Sequence, residues 1–461
     1  MFHNVLVPFA ERQKIYMRKF LLLNSPIFWN TTSEQEEYLS PLGLGYVATY
    51  LEMSGIEVKL IDCVKEKKSV LNIMKLIDVN NPDFIGINIF TQNYDIVKYI
   101  IENITIECEC FIGGQAVKSI YNDIMLWNVK NKLNIIIGEG EFIISDIILK
   151  KYKEEPLIQL DNKIVYKVDK ESKYFPKDIS NIYLNRKYLK DEIISNHYGE
   201  KEAAIITSRG CMYNCAFCGG ARSLNKDVTI RKRTEQSIIN EIREILTIYP
   251  DVKSIRILDD LFLRNSQSID MAIRIFSNFP QLSWRGMVHV LSLTHCIEKV
   301  KRLKESNCRE LFMGIESGSE IIRNRINKVG SVDEIINVSK EILKNGIDLK
   351  GYFILGFPKE TKDNFNDTYE LASELMRISQ TTLGVFRTSV FQFRPYHGTQ
   401  LYKEIIEEIG EIPSCQFNDC ISKFQGRSQF NFTSGNYSLE SDEVLNEYII
   451  KIQNLVVDKV C

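Results

Sequence analysis

The segment Ser208-Arg209-Gly210-Cys211-Met212-Tyr213-Asn214-Cys215-Ala216-Phe217-Cys218-Gly219-Gly220 sets three cysteines in a C-x3-C-x2-C run on a short, glycine-flanked loop. An apolar run, Ala203-Ala204-Ile205-Ile206-Thr207, leads straight into it. Three thiolates this close hold one iron–sulfur cluster at three of its irons and leave the fourth iron without a protein ligand. An open iron is a chemical site, whereas a fully ligated cluster usually only carries electrons. With 11 cysteines in 461 residues, chance produces this spacing about 0.006 times per chain. The competing reading is zinc, which takes four Cys or His ligands. No histidine or fourth cysteine lies near the loop.

The spacing, with an aromatic residue just before the third cysteine, resembles the radical S-adenosylmethionine (radical SAM) superfamily. The resemblance implies a [4Fe–4S] cluster held by Cys211, Cys215 and Cys218. SAM would chelate the open iron through its amino and carboxylate groups. Reduction would then split SAM into methionine and a 5′-deoxyadenosyl radical.

Composition narrows the class. The chain is long enough for two or three domains with separate cores. It is 44% hydrophobic and 26% charged, with a formal net charge of −2, ordinary values for a globular enzyme. Its densest basic run, Arg231-Lys232-Arg233, is too short for a nucleic-acid stripe and reads as a solvated loop. Generic nucleic-acid binding is therefore not expected. No run of 18 apolar residues predicts a membrane span, and the N-terminal residues lack a secretory pattern. The other cysteines (Cys63, Cys108, Cys110, Cys296, Cys308, Cys415, Cys420, Cys461) show no disulfide framework, which predicts a reducing, cytoplasmic setting. Cys108 and Cys110 read as an incidental pair. Cys415 and Cys420 fall short of a second cluster.

Residues 1–150 read as alternating strands and helices. Strand-like runs cover Lys19–Asn24, Glu57–Asp62, Phe84–Ile89, Cys110–Gly114 and Leu133–Gly138, and a helical pattern covers Leu42–Met53. Short apolar strands between helices predict an α/β, Rossmann-like, doubly wound parallel sheet. Ligands of such sheets bind beyond the strand carboxyl ends. The expected loops there carry Thr91, Gln92 and Asn93, then Gly113, Gly114 and Gln115, then Gly138, Glu139, Gly140 and Glu141.

These turns, together with Pro41-Leu42-Gly43-Leu44-Gly45-Tyr46 entering a helix, resemble the cobalamin-binding domain that precedes many radical SAM barrels. The resemblance implies cobalamin contacts at Thr91, Gln92, Gly113, Gly114, Gln115, Gly138, Glu139 and Glu141. It departs from the pattern in one respect: no Asp-x-His-x-x-Gly motif exists, since this domain has no histidine after His3. A bound corrin would be base-off without a protein histidine; alternatively the domain stands empty.

Residues 151–200 read as a polar, lysine-rich linker with a weak hairpin. A second βα series then begins at Ala203, with further strands at Ser254–Leu258, Leu282–Val290, Glu310–Ile315, Leu349–Leu355 and Gly384–Phe393, and an amphipathic helix at Ser237–Tyr249. Six strands over 201–397 match the partial (β/α)6 barrel of radical SAM enzymes, whose site lies at strand carboxyl ends. Residues 398–461 read as a mostly helical extension ending in a helix over Glu443–Val457.

The same resemblance assigns SAM contacts to Phe217, Gly219, Asp259, Asp260, Glu316, Ser317 and Gly356. Asp259-Asp260 stands where the superfamily often has Gly-Gly-Glu, and a carboxylate there accepts from the SAM ammonium; the plain reading is a helix cap. Gly314-Ile315-Glu316-Ser317-Gly318-Ser319 resembles the ribose and methionine contact. Gly351-Tyr352-Phe353-Ile354-Leu355-Gly356-Phe357-Pro358-Lys359-Glu360-Thr361 resembles the adenine contact. Arg394, Tyr396 and His397 follow the sixth strand and either reach substrate or shape a turn. Tyr352, His289 and Cys308 lie on or near barrel strands without an assigned role.

A cobalamin-type domain joined to such a barrel resembles a family whose commonest activity is methylation of unactivated carbon or phosphorus. The expected partners are a small-molecule or peptide substrate, with lipid also open, and an electron donor such as flavodoxin or ferredoxin. Rearrangement or cyclisation without methyl transfer, a cobalamin-free peptide-modifying enzyme and a non-catalytic sensor are the alternatives. A methylthiotransferase would need three further cluster cysteines near the N-terminus, and Cys63, Cys108 and Cys110 are not so arranged.

Overall fold

The structure is a computed structural model and describes residues 18–26, 38–189, 192–410 and 435–456. Cys415, Cys420, Cys461 and the end of the expected last helix lie outside them. Two compact units emerge. One includes Ser40–Lys177 and Ile182–Lys190; the other includes Asp178–Asn181 and Asp191–Cys461.

The first unit is built on seven strands: β1 (Lys19–Asn24), β2 (Glu57–Asp62), β3 (Phe84–Asn88), β4 (Glu109–Gly113), β5 (Lys132–Gly138), β6 (Ile158–Leu160) and β7 (Lys163–Val168). Their order is β2-β1-β3-β4-β5-β7-β6, parallel except for the β6–β7 hairpin. Strands β1, β3, β4 and β5 are near-continuous apolar runs because helices cover the sheet. Ile85, Ile87, Cys110, Ile112, Ile135 and Ile137 pack with Ile73, Ile77, Val97, Ile100, Val117 and Ile120 from the helices. The hairpin expected within residues 151–200 is present, and it is part of the sheet. Val165 is fully buried and the β7 strand pairs with β5, so the sheet continues past residue 150.

The second unit contains β8 (Ile194–Ser195), β9 (Lys201–Ile205), β10 (Ser208–Arg209), β11 (Arg231–Lys232), β12 (Ser254–Ile257), β13 (Ser283–Val288), β14 (Cys308–Glu316), β15 (Asp348–Leu355) and β16 (Phe386–Gln392). Its main sheet runs β16-β15-β14-β13-β12-β9-β8, parallel but for β8, and curls into a half-barrel. One strand face packs on helices through Ile255, Trp284, Leu311, Leu349, Phe353 and Phe386. The other face carries a buried ionic layer near the strand amino ends. Arg285 binds Glu202 at 2.5 Å and Glu310 at 2.9 Å, and Arg387 Nε donates to Glu310 at 3.0 Å. The opposite, carboxyl end is the one that carries the cysteine loop, after β9.

Caps define several helices. Thr234 Oγ1 accepts from Ser237 N at the start of Glu235–Ile248, and Ser331 forms a capping box with Glu334 ahead of Val332–Lys344. The basic run before the first of these helices is not a solvated loop. Arg231 and Arg233 are buried, β11 pairs with β10, and Arg233 bonds Glu241, Ser237 and the Ile206 carbonyl. Arg233 is absorbed by a paired charge and Arg231 donates to the Thr229 carbonyl, while Lys232 alone faces solvent. The last helix, Asp442–Gln453, buries Leu445, Ile449 and Ile452 in the barrel core.

Candidate active site

The loop after β9 is held at its entry by β12. Asp259, 4% exposed, accepts from Thr207 N, Thr207 Oγ1 and Ser208 Oγ, each at 2.6 Å. Both its oxygens thus accept from the chain leading into the cysteines, and Asp259 anchors the loop. Its exposed neighbour Asp260 accepts from Gly210 N at 3.0 Å. Gly210 needs its φ of +94° there, a conformation that suits glycine.

The cysteine loop is anchored again in its middle. Ala216 N donates to the Ile326 carbonyl at 2.9 Å, and Leu401 N to the Ala216 carbonyl at 3.1 Å. Phe217 packs on Phe357 with ring centroids 5.6 Å apart. Gly219 is buried, and its carbonyl accepts from Asn225 Nδ2 at 3.1 Å. Cys211, Cys215 and Cys218 are free and half-buried. Gly220 N donates to Cys218 Sγ at 3.3 Å. Burial raises the Cys215 and Cys218 thiols, the latter to about 12, so ligation must displace their protons. Among the described residues no three His, Cys, Asp or Glu groups converge on one ion. The donor set suits a cluster, which spreads three thiolates over three irons.

Glu316 closes β14 with φ at +67°, where the β14–β15 register shifts. The bulge re-aims its side chain. Its Oε1 lies 3.0 Å from Lys328 Nζ. A Cβ at Gly314 would stand 2.3 Å from Glu316 Oε1 and 2.9 Å from Lys328 Nζ, so a side chain there would push the ion pair aside. Burial lowers Lys328, but the charges of Glu316 and Cys215 outweigh it and its pKa stands above the usual value. Ser317 does not present a free polar edge. It is fully buried, with its hydroxyl 3.1 Å from Thr368 Oγ1 and accepting from Ser319 N.

Gly356 takes φ +91° at the end of β15. Its N–H and that of Phe357 donate to Glu360 Oε2 at 2.7 and 2.9 Å. Glu360 is fully buried, and burial lifts its carboxyl to about 8 despite those bonds. Cysteine loop, Asp260, Glu316 and Gly356 thus share the carboxyl edge of one curled sheet.

Other expectations fare differently. Cys308 sits buried at the opposite end of β14. His289 is buried, accepts from Leu291 N at 3.2 Å and stacks on Tyr213 at 3.9 Å. Tyr352 lies among Phe312 and Phe391. Arg394 stands over the Phe391 ring and His397 beside Tyr402. Lys328, Glu360 and Arg264 are additions of the structure. Lys328 carries no local signal, because its partner lies twelve residues upstream across a helix.

In the first unit, β3, β4 and β5 are neighbours, so their carboxyl-end loops lie side by side. Thr91, Gln92 and Asn93 form one 3-10 turn, in which Gln92 Oε1 is buried without a partner. Gly113 has open space where a Cβ would stand, and Gln115 is exposed. Gly114 and Gly138 adopt φ of +128° and +97°. Glu139 is half-buried and Glu141 buried. Bare backbone with an unpaired amide oxygen suits a flat ligand with polar edge groups.

Comparison with known proteins agrees with both units. Residues 205–372 match the radical SAM superfamily and residues 32–148 the B12 binding domain. An uncharacterized methyltransferase of Pyrococcus horikoshii is 30% identical over 387 residues, 79% of this chain and 78% of that protein. Cytidylyl-2-hydroxyethylphosphonate methyltransferase of Streptomyces wedmorensis is 23% identical over 80% of this chain and 78% of its own length. The structure of the cobalamin-dependent SAM radical enzyme OxsB is similar with a TM-score of 0.62 at 15% identity; the match covers 93% of this chain and 65% of OxsB, so the chain spans a little under two thirds of it. These findings define a radical SAM enzyme with a B12-binding domain. The chain belongs to the cobalamin-dependent radical SAM methyltransferase-like family. Its cofactors are a [4Fe–4S] cluster, SAM and cobalamin.

Proposed function

We propose that the enzyme methylates an unactivated carbon or phosphorus centre of a natural-product, peptide or lipid substrate. The observation that carries this reading is the pairing, in one chain, of the cysteine-loop edge of the half-barrel with a B12-type sheet whose glycine-lined carboxyl edge is left bare. The relatives named as methyltransferases support it. When bound, the reduced cluster and SAM supply a hydrogen-abstracting radical and cobalamin supplies the methyl group.

The chain's own residues bind and orient. Cys211, Cys215 and Cys218 hold the cluster. Asp260, exposed beside Gly210, accepts from the SAM ammonium. Glu316, fixed by Lys328, accepts from the ribose hydroxyls. Gly356 and Phe217, the latter backed by the buried Phe357, offer backbone and an apolar face to the adenine side. Thr91, Gln92, Gly113, Gly114, Gln115, Gly138, Glu139 and Glu141 frame the cobalamin. A flavodoxin- or ferredoxin-type protein delivers the electron. Holding reactants in register is the main service such a scaffold gives.

The test is anaerobic reconstitution with iron, sulfide, SAM, cobalamin and reductant, followed by assay with candidate substrates. S-adenosylhomocysteine and 5′-deoxyadenosine appearing together would support methyl transfer. Deoxyadenosine alone would point to rearrangement or cyclisation.

A further inference from the structure

Arg264 follows β12 by a short loop, and its side chain is 8% exposed. Nη2 donates to Ser208 Oγ. Nε and Nη1 are buried with no acceptor. A guanidinium stays charged at any accessible pH and carries five donors. Leaving the three N–H donors of Nε and Nη1 unpaired in the interior is costly, and such orphans call for a partner that is absent from the protein itself.

The surroundings narrow the partner. Asp259 is already filled by Thr207 and Ser208, and Asp260 is tied to Gly210. Ser208, which holds Nη2, stands three residues before Cys211. Cys218 Sγ has the Gly220 N–H, but no donor among the described residues reaches Cys211 Sγ. Burial lowers the guanidinium, while the negative charges of Asp259, Cys211 and Asp260 support its charged form.

We propose that Arg264 is a positioning residue for the iron–sulfur cluster, donating from its open Nε and Nη1 to the cluster edge at Cys211. The inference rests on the reading that the three cysteines hold the cluster. Reduction adds negative charge to the cluster. A buried cation and N–H donors at its sulfurs favour the reduced form and raise its potential.

The test compares wild type, Arg264→Gln and Arg264→Lys as reconstituted holoenzyme without SAM, by redox titration followed by electron paramagnetic resonance. Arg264→Gln is expected to titrate at lower potential, with Arg264→Lys nearer wild type. Wild type grown with 15N-arginine should show arginine nitrogen coupled to the reduced cluster, and Arg264→Lys should lose that coupling. A loaded Arg264→Gln enzyme with wild-type potential would overturn the proposal, even if its SAM affinity fell. Should Arg264→Gln assemble no cluster, the labelled wild type decides alone: absent coupling overturns the role. An iron-free wild type would overturn the cluster reading itself, whereas a full cluster with unchanged potential overturns only the role of Arg264.

Discussion

Lys328 Nζ lies 3.0 Å from Glu316 Oε1, in an ion pair whose two side chains are each less than a tenth exposed. The pair holds a carboxylate whose backbone is already in a left-handed conformation costing about 1–3 kcal/mol. It fixes that carboxylate at the strand edge where SAM is expected.

Lys328→Met leaves the Glu316 charge buried and alone. Breaking such a pair costs about 3–5 kcal/mol, whereas removing both charges costs much less. Denaturant unfolding should show the loss in Lys328→Met and its recovery in Glu316→Gln/Lys328→Met. SAM binding should stay weak in both, because the double variant restores stability but not the carboxylate.

Asp259→Ala removes three bonds to the entry of the cysteine loop. Bonds to a charged acceptor contribute about 1.5–3 kcal/mol each. Iron and sulfide per chain after reconstitution should fall well below wild type, with Asp259→Asn intermediate.

Glu360 predicts a pH effect of defined sign. Its folded pKa of about 8 exceeds the ordinary 4.5. Between those values the folded state keeps a proton the unfolded state has lost, so stability falls as pH rises, by about 1.4 kcal/mol per unit. Stability profiles from pH 5 to 8 should be flatter in Glu360→Gln, which keeps a neutral acceptor for Gly356 and Phe357.

Two neighbouring glycines separate fold from ligand. Gly114→Ala forces a Cβ to 2.4 Å from the Ile89 carbonyl at φ +128° and should lower the melting temperature. Gly113→Leu enters open space. It should leave melting unchanged while cutting cobalamin bound per chain, read from the absorbance spectrum.

The strands Lys19–Asn24 and Glu57–Asp62 and the helix Leu42–Met53 were legible to the residue, because each is a sharp apolar pattern between breakers. The cysteine loop was legible because spacing alone constrains thiolate chemistry. The hairpin over β6 and β7 was legible as a weak one, but its place in the sheet was not, since nothing in Lys163–Val168 names β5 as its partner. Arg231 and Arg233 misled because charge in a sequence does not disclose its partners. Ser317 did so because a small hydroxyl bonds a neighbouring turn as readily as a ligand. Asp259 and Asp260 look alike in sequence; only the fold turns one inward to Thr207 and the other to the rim.

The most direct measurement is electron paramagnetic resonance of the anaerobically reconstituted, reduced protein before and after SAM is added. A [4Fe–4S] signal that changes on addition of SAM, and is absent from a Cys211→Ala/Cys215→Ala/Cys218→Ala variant, is the predicted result. A signal indifferent to SAM, or a protein that holds only zinc, would contradict the account.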